Sequence, residues 1–458
     1  METMSDRLAR FTAGLSYEDI PGQVIEKAKL HLLDALGIGL AATREPYADA
    51  VTKTARDWGG NPQATIWRYG DRLPVAHAAM VNGSYVHGLD FDDTHTDSIT
   101  HMSACVVPTA LAAGEAVDAS GRDILAAMVA GYEVIARIGG AVPGAFHAEG
   151  YHATPICGAF GAAAIMGRLM NQSSETIANA FGVCGSQAAG IQEFLDDGSW
   201  VKRFHPGWAS HAGVTAAQMA GHGFMGPRKV LEGRFGLYAT HLSDPSFDAE
   251  ILSGGLGERW ETLRISFKPY PCCHFNHATM DAAKNLVREA GISLDEIVEV
   301  ETITPEPILH IVCEPIEHKR RPNTQYAALF SLPFCLAVNV VKGRATLDDF
   351  EEEHLDDAQV LELAGKVRCT GVESDRFPKY LHGGVKMTLQ DGRVLERDEP
   401  VNWGNPENPM EWADVEAKFR GNAGRVLPES KVDAAVEAVL GFEESPDASA
   451  LMSACKAA

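Results

Sequence analysis

The sequence predicts a mainly α-helical protein, in which a large all-helical domain built from both chain ends carries a smaller inserted α+β domain. Three observations predict this arrangement. Apolar residues recur at three- and four-residue spacing, the period of an amphipathic helix, through most of the chain before Lys268. Alternating apolar and polar residues, typical of strands, appear only after that point. Helical spacing returns after Trp412, and 458 residues exceed what one hydrophobic core usually supports.

These changes of pattern place the helical domain at residues 1–266 and 401–458 and the α+β domain at residues 267–400. Ser173 or Ser174, followed by a glutamate and an apolar run, is typical of a helix N-cap. Glycine and alanine are frequent in the predicted helices, and small residues let helix backbones approach closely. We therefore expect a tightly packed helical body. Its predicted helices span residues 24–42, 105–118, 122–138, 155–170, 174–193 and 208–223.

The inserted domain is predicted to combine one helix, at residues 281–290, with a small sheet. Residues 296–304 alternate like a strand, and residues 367–374 could pair with them. Residues 385–399 carry an Asp-Gly pair between two alternating segments, which is a strong β-hairpin signal.

Composition excludes several kinds of partner and location. The 39 basic and 62 acidic side chains give a net charge of −23, whereas nucleic-acid binding needs a clustered basic surface. No uninterrupted apolar run approaches the length of a membrane span. The first residues lack the apolar core of a signal peptide, and nine scattered cysteines without a CxxC spacing are typical of free thiols in a reducing compartment. We therefore expect a cytoplasmic protein.

Residues 82–106 carry the strongest functional signal. This segment is a metal site, a polar loop whose aspartates cap the helix beginning near Ser103, or an active-site loop. Histidine and aspartate are common metal ligands, but their spacing here matches no closed ligand motif. Capping explains one or two of the seven titratable groups, so we favour the active-site loop. The seven groups are His87, Asp90, Asp92, Asp93, His95, Asp97 and His101.

Three further segments carry clustered cations. In residues 199–213, Lys202, Arg203 and His205 precede a helix rich in small residues, which indicates either an anion site or a solvated basic turn. Residues 264–281 hold Lys268 in a Pro-rich turn, with His274 and His277 opening a helix. In residues 317–334 we expect Lys319 and Arg320 to be surface charges and Arg321, next to Pro322, to be the more plausible ligand.

Basic clusters in an acidic protein would form a local positive pocket if they converge. Such a pocket suits a small di- or tricarboxylate, because arginine binds carboxylates through two parallel hydrogen bonds and lysine as a point charge. Proton abstraction beside a carboxylate creates an enediolate, which needs donors and cations around it. Two neighbouring lysines would also lower one another's pKa, so that one could serve as a base near neutrality.

Several long motifs, in order, resemble the MmgE/PrpD family, whose members include 2-methylcitrate dehydratase, cis-aconitate decarboxylase and iminodisuccinate epimerase. The resemblance runs from about residue 20 to residue 345 and more weakly beyond. It implies a helical domain from both chain ends, a smaller lid domain, a homodimer, and an active site in the cleft between domains without metal or organic cofactor. The motifs are LLDALGIGLAAT, NGSYVHGLDFDDTH, HMSACVVPTALA, GYHATPICGAFGAAAI, KRFHPGWASHAG, VLEGRFGL, FKPYPCC and FSLPF.

The resemblance also implies site residues. Two positions depart from the decarboxylase branch: Cys273 stands where that branch has a histidine, with His274 one residue later, and Phe334 stands where it has a tyrosine. Tyr151, in GYHAT, could face Lys268 as the second member of an acid–base pair, which is the arrangement that an epimerase needs. The site of the decarboxylase branch falls on Asp90, Thr94, His101, Lys202 and Lys268.

We therefore expect a cofactor-independent enzyme that removes a proton beside a carboxylate of a small polycarboxylate. Lys268 or Tyr151 would be the base and the other the acid, and His101 would shuttle the proton. Asp90 and Thr94 would orient the substrate and the histidine. The expected carboxylate-binding residues are Lys202, Arg203, His205, His274 and Arg321.

Several reactions fit this site. Dehydration, as in the dehydratase branch, is the leading expectation. Epimerisation of an imino- or hydroxy-dicarboxylate comes second and decarboxylation third. All three reactions fit because the first step is common to them. Alternatives from other classes are a metal-dependent hydrolase that uses the His/Asp loop and a non-catalytic carboxylate-binding or scaffold protein.

Overall fold

The computed structural model describes residues 2–376 and 380–457. The chain forms two compact units, one of residues 1–265 with 411–458 and one of residues 266–410, which we name the helical unit and the inserted unit. The prediction of a mainly helical protein with a small sheet is confirmed. Among the described residues, no helix combines the length and apolar character needed to cross a bilayer.

The helical unit takes its helices from both sides of the insertion. They are α1 (Met4–Gly14), α2 (Gly22–Ala42), α3 (Pro46–Trp58), α4 (Val75–His87), α5 (Ser103–Val117), α6 (Gly121–Gly140), α7 (Ala145–Ala148), α8 (Ala153–Leu169), α9 (Ser174–Cys184), α10 (Phe194–Asp197), α11 (Val201–Gly221), α12 (Leu237–His241) and α13 (Ala249–Ser253), followed after the insertion by α20 (Trp412–Ala423), α21 (Glu429–Leu440) and α22 (Ser449–Ala454).

The helical unit differs from its prediction at three places. The unit was predicted to be all-helical, but it contains short strands. Strand β1 (Ala64–Thr65) pairs with β2 (Arg72–Leu73) in a short hairpin, and β3 (Thr94–His95) lies in the loop after α4. The predicted helix at residues 174–193 stops at Cys184, where glycine caps it. The predicted helix at residues 208–223 begins earlier, at Val201, and contains Pro206 in its second turn.

Small residues bring α11 into close contact with α4 and α8. A Cβ atom on Gly83 of α4 would lie 3.0 Å from the Cα atom of Gly207 in α11. On the other face of α11, a Cβ atom on Gly213 would overlap the carbonyl oxygen of Ala159 and lie 2.5 Å from the Cβ atom of Ala162. The backbones of the three helices therefore touch where the predicted Gly/Ala-rich segments meet, as the sequence led us to expect.

The inserted unit packs helices on a four-stranded sheet of order β6-β5-β7-β8. Strand β5 pairs in parallel with β6 and antiparallel with β7, and β7 pairs antiparallel with β8. Both predicted strands and the Asp391-Gly392 hairpin are confirmed. The elements are β4 (Ile265–Ser266) at the boundary of the units, then α14 (His277–Ala290), β5 (Ile297–Pro305), α15 (Leu309–Val312), α16 (Ile316–Arg320), α17 (Gln325–Leu329), α18 (Leu332–Lys342), α19 (Ala358–Gly365), β6 (Val367–Val372), β7 (Gly383–Leu389) and β8 (Val394–Glu399).

The helix contacts predict a stability difference between two glycine substitutions. Gly213→Ala should lower the free energy of unfolding by about 1–3 kcal/mol, because the new methyl group meets backbone atoms of α8 that cannot rotate away. Gly421→Ala is the matched control, since a Cβ atom there meets no atom within 4 Å and alanine should stabilise α20 by about 0.5–1 kcal/mol. Denaturant unfolding measures both, and equal stability of the two variants would contradict the packing described.

Candidate active site

The loop between α4 and α5 alternates its side chains between two environments. Its segment from Asp90 to His95 is extended at β3 and directs successive residues to opposite sides, as in a strand. One side faces α8 and α11, and we name it the site face. The other side faces α2, α20 and the start of α5, and we name it the buried face.

Residues 90, 92 and 94 make the site face of the loop. Asp90, which has a left-handed backbone with φ of 51°, accepts a hydrogen bond from Nζ of Lys202 at 2.8 Å. Asp92 binds Nδ1 of His87 at 2.7 Å. The Thr94 hydroxyl lies 3.3 Å from Nδ1 of His101.

The tautomer of His101 follows from its hydrogen bonds. Its Nδ1 lies 2.7 Å from the carbonyl oxygen of Asp93, which can only accept, so Nδ1 carries a proton. In the neutral ring, Nε2 is then the atom that can take up a proton. The backbone N–H of His101 donates to the Thr154 hydroxyl at 3.0 Å, which ties this residue to the first turn of α8. His101 is therefore held in an orientation that suits proton transfer at Nε2.

A cluster of histidines surrounds His101. The ring centroids of His87 and His101 are 5.2 Å apart, and those of His87 and His152 are 5.4 Å apart. His152 also lies 6.2 Å from His147, and its Nδ1 is 3.1 Å from Nδ1 of His205, so one of these two nitrogens donates to the other. Five histidines from α4, the loop, α7, α8 and α11 thus meet at one place.

Most of these histidines are neutral at pH 7. Burial, together with electrostatic effects of His87 and Lys202, lowers the pKa of His205 to about 4. Burial also lowers the pKa of His147 to about 4 and that of His152 well below its ordinary value, with Lys202 adding to both effects. Lys202 is therefore the main cation of the site face, opposed by Asp90.

Helix N-termini add to the positive potential here. Ser103 opens α5, His152 caps α8, and Lys202 lies in the first turn of α11, so three helices of fifteen residues or more begin at this cluster. Backbone N–H groups and the helix dipole favour an anion at such a position. Because Asp93 already caps α5 from the buried face, the N-termini of α8 and α11 supply the positive potential of the site face, beside imidazoles that are neutral at pH 7.

The buried face of the loop holds its remaining charges. Asp93 accepts hydrogen bonds from the Ser103 backbone at 3.1 Å and from the Ser103 hydroxyl, and its carboxylate lies 2.9 Å from Nδ1 of His31. Burial acts to raise the pKa of Asp93, but His31 and Ser103 together bring it below its ordinary value. The expectation that a loop aspartate caps the helix beginning near Ser103 is confirmed for Asp93.

The other two titratable groups of the loop have structural partners as well. His95 is buried, with Nδ1 2.8 Å from the Ser98 hydroxyl and Nε2 3.4 Å from the carboxylate of Glu261. Asp97 forms an ion pair with Arg264. These residues fix the course of the loop and do not join the histidine cluster.

The predicted cations of α11 lie inside the helix, not ahead of it. Lys202 and His205 face the cluster. Arg203 packs its guanidinium 4.8 Å from the centroid of the Tyr47 ring. The structure thus brings together two of the three cations predicted for this segment, and places the third against an aromatic ring.

Tyr151 is half-buried, and its ring centroid lies 5.0 Å from that of His241.

The inserted unit holds the other predicted site residues. Lys268 is buried, and its charge acts on the nearby Cys272 thiol, whose pKa burial raises well above the ordinary value. His277 opens α14 as predicted, whereas His274 lies in the short 3₁₀ turn before it, with the two ring centroids 4.8 Å apart. The Asn402 side-chain amide donates to Nε2 of His274 at 2.9 Å.

The three consecutive cations of the inserted unit are arranged contrary to expectation. Lys319 donates to the carbonyl oxygens of Ile311 and Phe330 at 2.7 Å each, and Arg320 donates to that of Val367 at 2.8 Å. The prediction that these two are surface charges is wrong, because they satisfy carbonyl groups at the ends of short helices and strands. Arg321 is the exposed one, with 73% of its side chain accessible and an ion pair to Asp356.

Metal-binding geometry is found elsewhere in the described residues. Within the described residues, one group offers three ligand atoms close to one another. It lies at a short 3₁₀ turn of the inserted unit, is mostly exposed, and consists of Glu351, Glu353 and His354. The carboxylates of the His/Asp loop instead bind histidine, lysine and backbone groups one by one. The geometry gives no support to a metal site in residues 82–106.

Sequence reasoning missed three of the clustered histidines. His152 follows Tyr151 directly and His147 lies four residues before it, but the spacing of these histidines does not distinguish them from structural residues. His87 is one of the seven titratable groups of the loop but not one of the predicted site residues. The available signal is position, since His87 ends α4 and His152 caps α8, and helix ends commonly line polar sites.

The chain thus combines a helical unit, which carries a cluster of histidine, lysine and aspartate at helix ends, with an inserted α+β unit. Family models identify the class of protein. The MmgE/PrpD N-terminal domain matches residues 6–250 and the MmgE/PrpD C-terminal domain matches residues 270–443. The chain belongs to the MmgE/PrpD family.

Individual relatives cover nearly the whole chain. The cis-aconitate decarboxylase-like protein oryM of Aspergillus oryzae is 28% identical over 97% of this chain and 95% of its own length. Cis-aconitate decarboxylase of Homo sapiens is 27% identical over 100% of this chain and 95% of its own length. The 2-methylcitrate dehydratase of Salmonella typhimurium is 22% identical over 90% of this chain and 89% of its own length.

The buried neutral histidines predict a loss of stability in mild acid. The folded-state pKa of His205 is about 4, below the value of about 6.5 in an unfolded chain, so between these values the unfolded state takes up a proton that the folded state refuses. The free energy of unfolding should therefore fall as the pH is lowered from 7 to 4, by at most about 3 kcal/mol for this residue.

His205→Gln tests this prediction, because glutamine keeps a hydrogen-bonding side chain but does not titrate. Denaturant unfolding at a series of pH values should show a shallower pH dependence in the variant than in the natural protein. An unchanged pH dependence would show that His205 titrates normally in the folded state.

Proposed function

We propose that the protein is a cofactor-independent lyase that acts at the carbon beside a carboxylate of a small di- or tricarboxylate. One observation carries the proposal. His101, with a proton fixed on Nδ1, lies in one cluster with Lys202 at the N-termini of three long helices. An anion-binding environment and a group able to exchange a proton are the two requirements of chemistry at such a carbon.

In the proposed mechanism, carboxylate binding falls chiefly on Lys202 and the helix N-termini. Lys202 is paired with Asp90 at 2.8 Å, and a substrate carboxylate would share or replace this partner. Arg203 and His205 flank it, although Arg203 stacks on Tyr47 and His205 is neutral. Arg321, exposed and paired with Asp356, has the weakest support among the predicted binding residues.

The proton-transfer roles are those that the family resemblance implies. Lys268 or Tyr151 acts as the base and the other as the acid, and His101 shuttles the proton through Nε2. Thr94 and the Asp93 carbonyl hold His101 by Nδ1, so the ring accepts a proton without turning. Negative charge that develops on the substrate carboxylate is stabilised by Lys202 and by backbone N–H groups, which act strongly where water is excluded.

Dehydration and decarboxylation are the two leading reactions. In dehydration, a proton leaves the carbon beside the carboxylate and the hydroxyl on the next carbon leaves as water. In decarboxylation, a carbon–carbon bond to a carboxylate breaks, carbon dioxide leaves, and the carbanion takes a proton. The sequence departures at Cys273 and Phe334 favoured dehydration, with a 2-methylcitrate-like substrate. Epimerisation of an iminodisuccinate-like dicarboxylate is the third candidate.

Two observations favour decarboxylation as the second candidate function. The decarboxylase and decarboxylase-like relatives are 27–28% identical to this chain, and the dehydratase relatives are 22–25% identical. Phe334 is fully buried against Phe350 in the core of the inserted unit. A hydrophobic residue suits that position whichever reaction the protein catalyses, so the absence of a tyrosine there no longer argues against decarboxylation.

We also propose a cytoplasmic homodimer. The dimer is what the family resemblance implies. The location is supported by the cysteines, all nine of which are described and are free thiols, eight of them buried.

A substrate panel tests the proposed function. The purified protein is incubated with 2-methylcitrate, cis-aconitate, citrate and iminodisuccinate in D₂O, and products and deuterium incorporation are followed by NMR. The proposal expects turnover of at least one acid, and the product identifies the reaction. Lys268→Ala, His101→Gln and Lys202→Met should each lower kcat/KM by about 10²–10⁴.

The matched control is Lys53→Ala, which removes an exposed lysine paired with Asp49 and should leave kcat/KM unchanged. Near-normal activity of Lys268→Ala would overturn its catalytic role. A stoichiometric metal in the purified protein, with turnover lost after EDTA treatment, would favour the hydrolase alternative. No exchange and no product with any acid would favour a non-catalytic carboxylate-binding protein.

A further inference from the structure

A buried ion pair lies directly behind the loop that carries Asp90. Nζ of Lys418, on α20, is 2.8 Å from the carboxylate of Asp34, on α2. Both side chains are almost completely inaccessible, and burial raises the pKa of Asp34 to about 6 even beside this lysine. The pair joins one helix from each end of the chain.

Stability alone does not explain this pair. Removing two charges from water costs several kcal/mol each, and replacing a buried ion pair by apolar residues of similar volume is often neutral or stabilising. The charges of Asp92, Asp93 and Lys27 also act in this region, so the pair belongs to a wider buried network. The reason for burying Lys418 is therefore sought in its second contact, with Phe91 of the loop.

That other contact is with the loop. Nζ of Lys418 donates to the carbonyl oxygen of Phe91 at 3.0 Å and lies 3.8 Å from the centroid of the Phe91 ring. Phe91 stands between Asp90 and Asp92, the two carboxylates of the site face. An ammonium group that binds both the carbonyl oxygen and the ring of one residue fixes that residue's backbone and side chain together.

The conformation of Asp90 makes such an anchor useful. Its φ of 51° is in the left-handed region, which costs a residue other than glycine roughly 1 kcal/mol. The loop must be held in this conformation for Asp90 to reach Lys202 at 2.8 Å. Asp93 anchors the loop two residues later through His31 and Ser103, so Phe91 and Asp93 form two fixed points on the buried face.

We propose that Lys418, neutralised by Asp34, is a positioning residue that holds the loop so that Asp90 meets Lys202 at the site face. The inference rests on the proposed function for its effect on catalysis, but not for its effect on the loop. Lys418 acts through Phe91, and it couples α20 to the proposed chemistry.

The test is a double variant, Lys418→Met with Asp34→Leu, which removes both charges and leaves no unpaired buried ion. The free energy of unfolding should stay within about 1–2 kcal/mol of the natural value. With the substrate identified by the panel, kcat should fall at least tenfold while KM changes less than threefold. Hydrogen exchange of peptides covering residues 88–95 should become at least tenfold faster, while exchange in α8 stays unchanged.

The outcomes separate this proposal from the proposed function. Unchanged exchange at residues 88–95 in a stable double variant would overturn the positioning role, whether or not a substrate is known. Faster exchange at residues 88–95 in a protein that turns over no acid of the panel would support the positioning role and count against the proposed function. If the double variant fails to fold, Lys418→Leu with Asp34→Asn, which also removes both charges and the donor to Phe91, provides the same exchange measurement, and unchanged exchange there would overturn the proposal.

Discussion

Charge that is buried must be paired, and this constraint determines how the loop after α4 is built. Seven titratable groups within fifteen residues cannot all face one cavity without strong mutual repulsion. The chain resolves this by alternating its side chains. Asp90, Asp92 and Thr94 turn toward Lys202, His87 and His101, whereas Phe91, Asp93 and His95 turn toward partners beneath the loop. The site therefore depends on the buried partners as much as on its own residues.

Close helix packing supplies the other half of the site. Gly83, Gly207 and Gly213 let α11 lie directly on α4 and α8, so that the N-termini of α5, α8 and α11 come together. Burial keeps His147, His152 and His205 neutral there. A neutral imidazole donates and accepts hydrogen bonds without adding charge, and a converging set of N–H groups favours an anion. The small residues that weaken each helix are thus the ones that build the site.

The sequence predicted what depends on local pattern. Helical periodicity located most helices, and the Asp-Gly signal located the hairpin of β7 and β8. Sequence could not show which side of the loop each aspartate faces, because the deciding partners His31, Asp34 and Lys418 are far away in the chain. For the same reason, it placed Arg321 among the ligands and Lys319 on the surface. A lysine that satisfies two backbone carbonyls has the same sequence signature as a solvated one.

The alternation of the loop is tested most directly by two isosteric changes, Asp90→Asn and Asp93→Asn, compared for stability and activity. Asp90→Asn should keep the natural free energy of unfolding within about 1 kcal/mol, because Asp90 lies at the partly exposed site face, and it should lose at least a hundredfold in kcat/KM. Asp93→Asn should lose about 1–3 kcal/mol of stability, because it weakens the buried hydrogen bonds that the carboxylate makes with His31 and Ser103. Equal destabilisation by the two changes, or near-normal turnover by Asp90→Asn, would contradict the account.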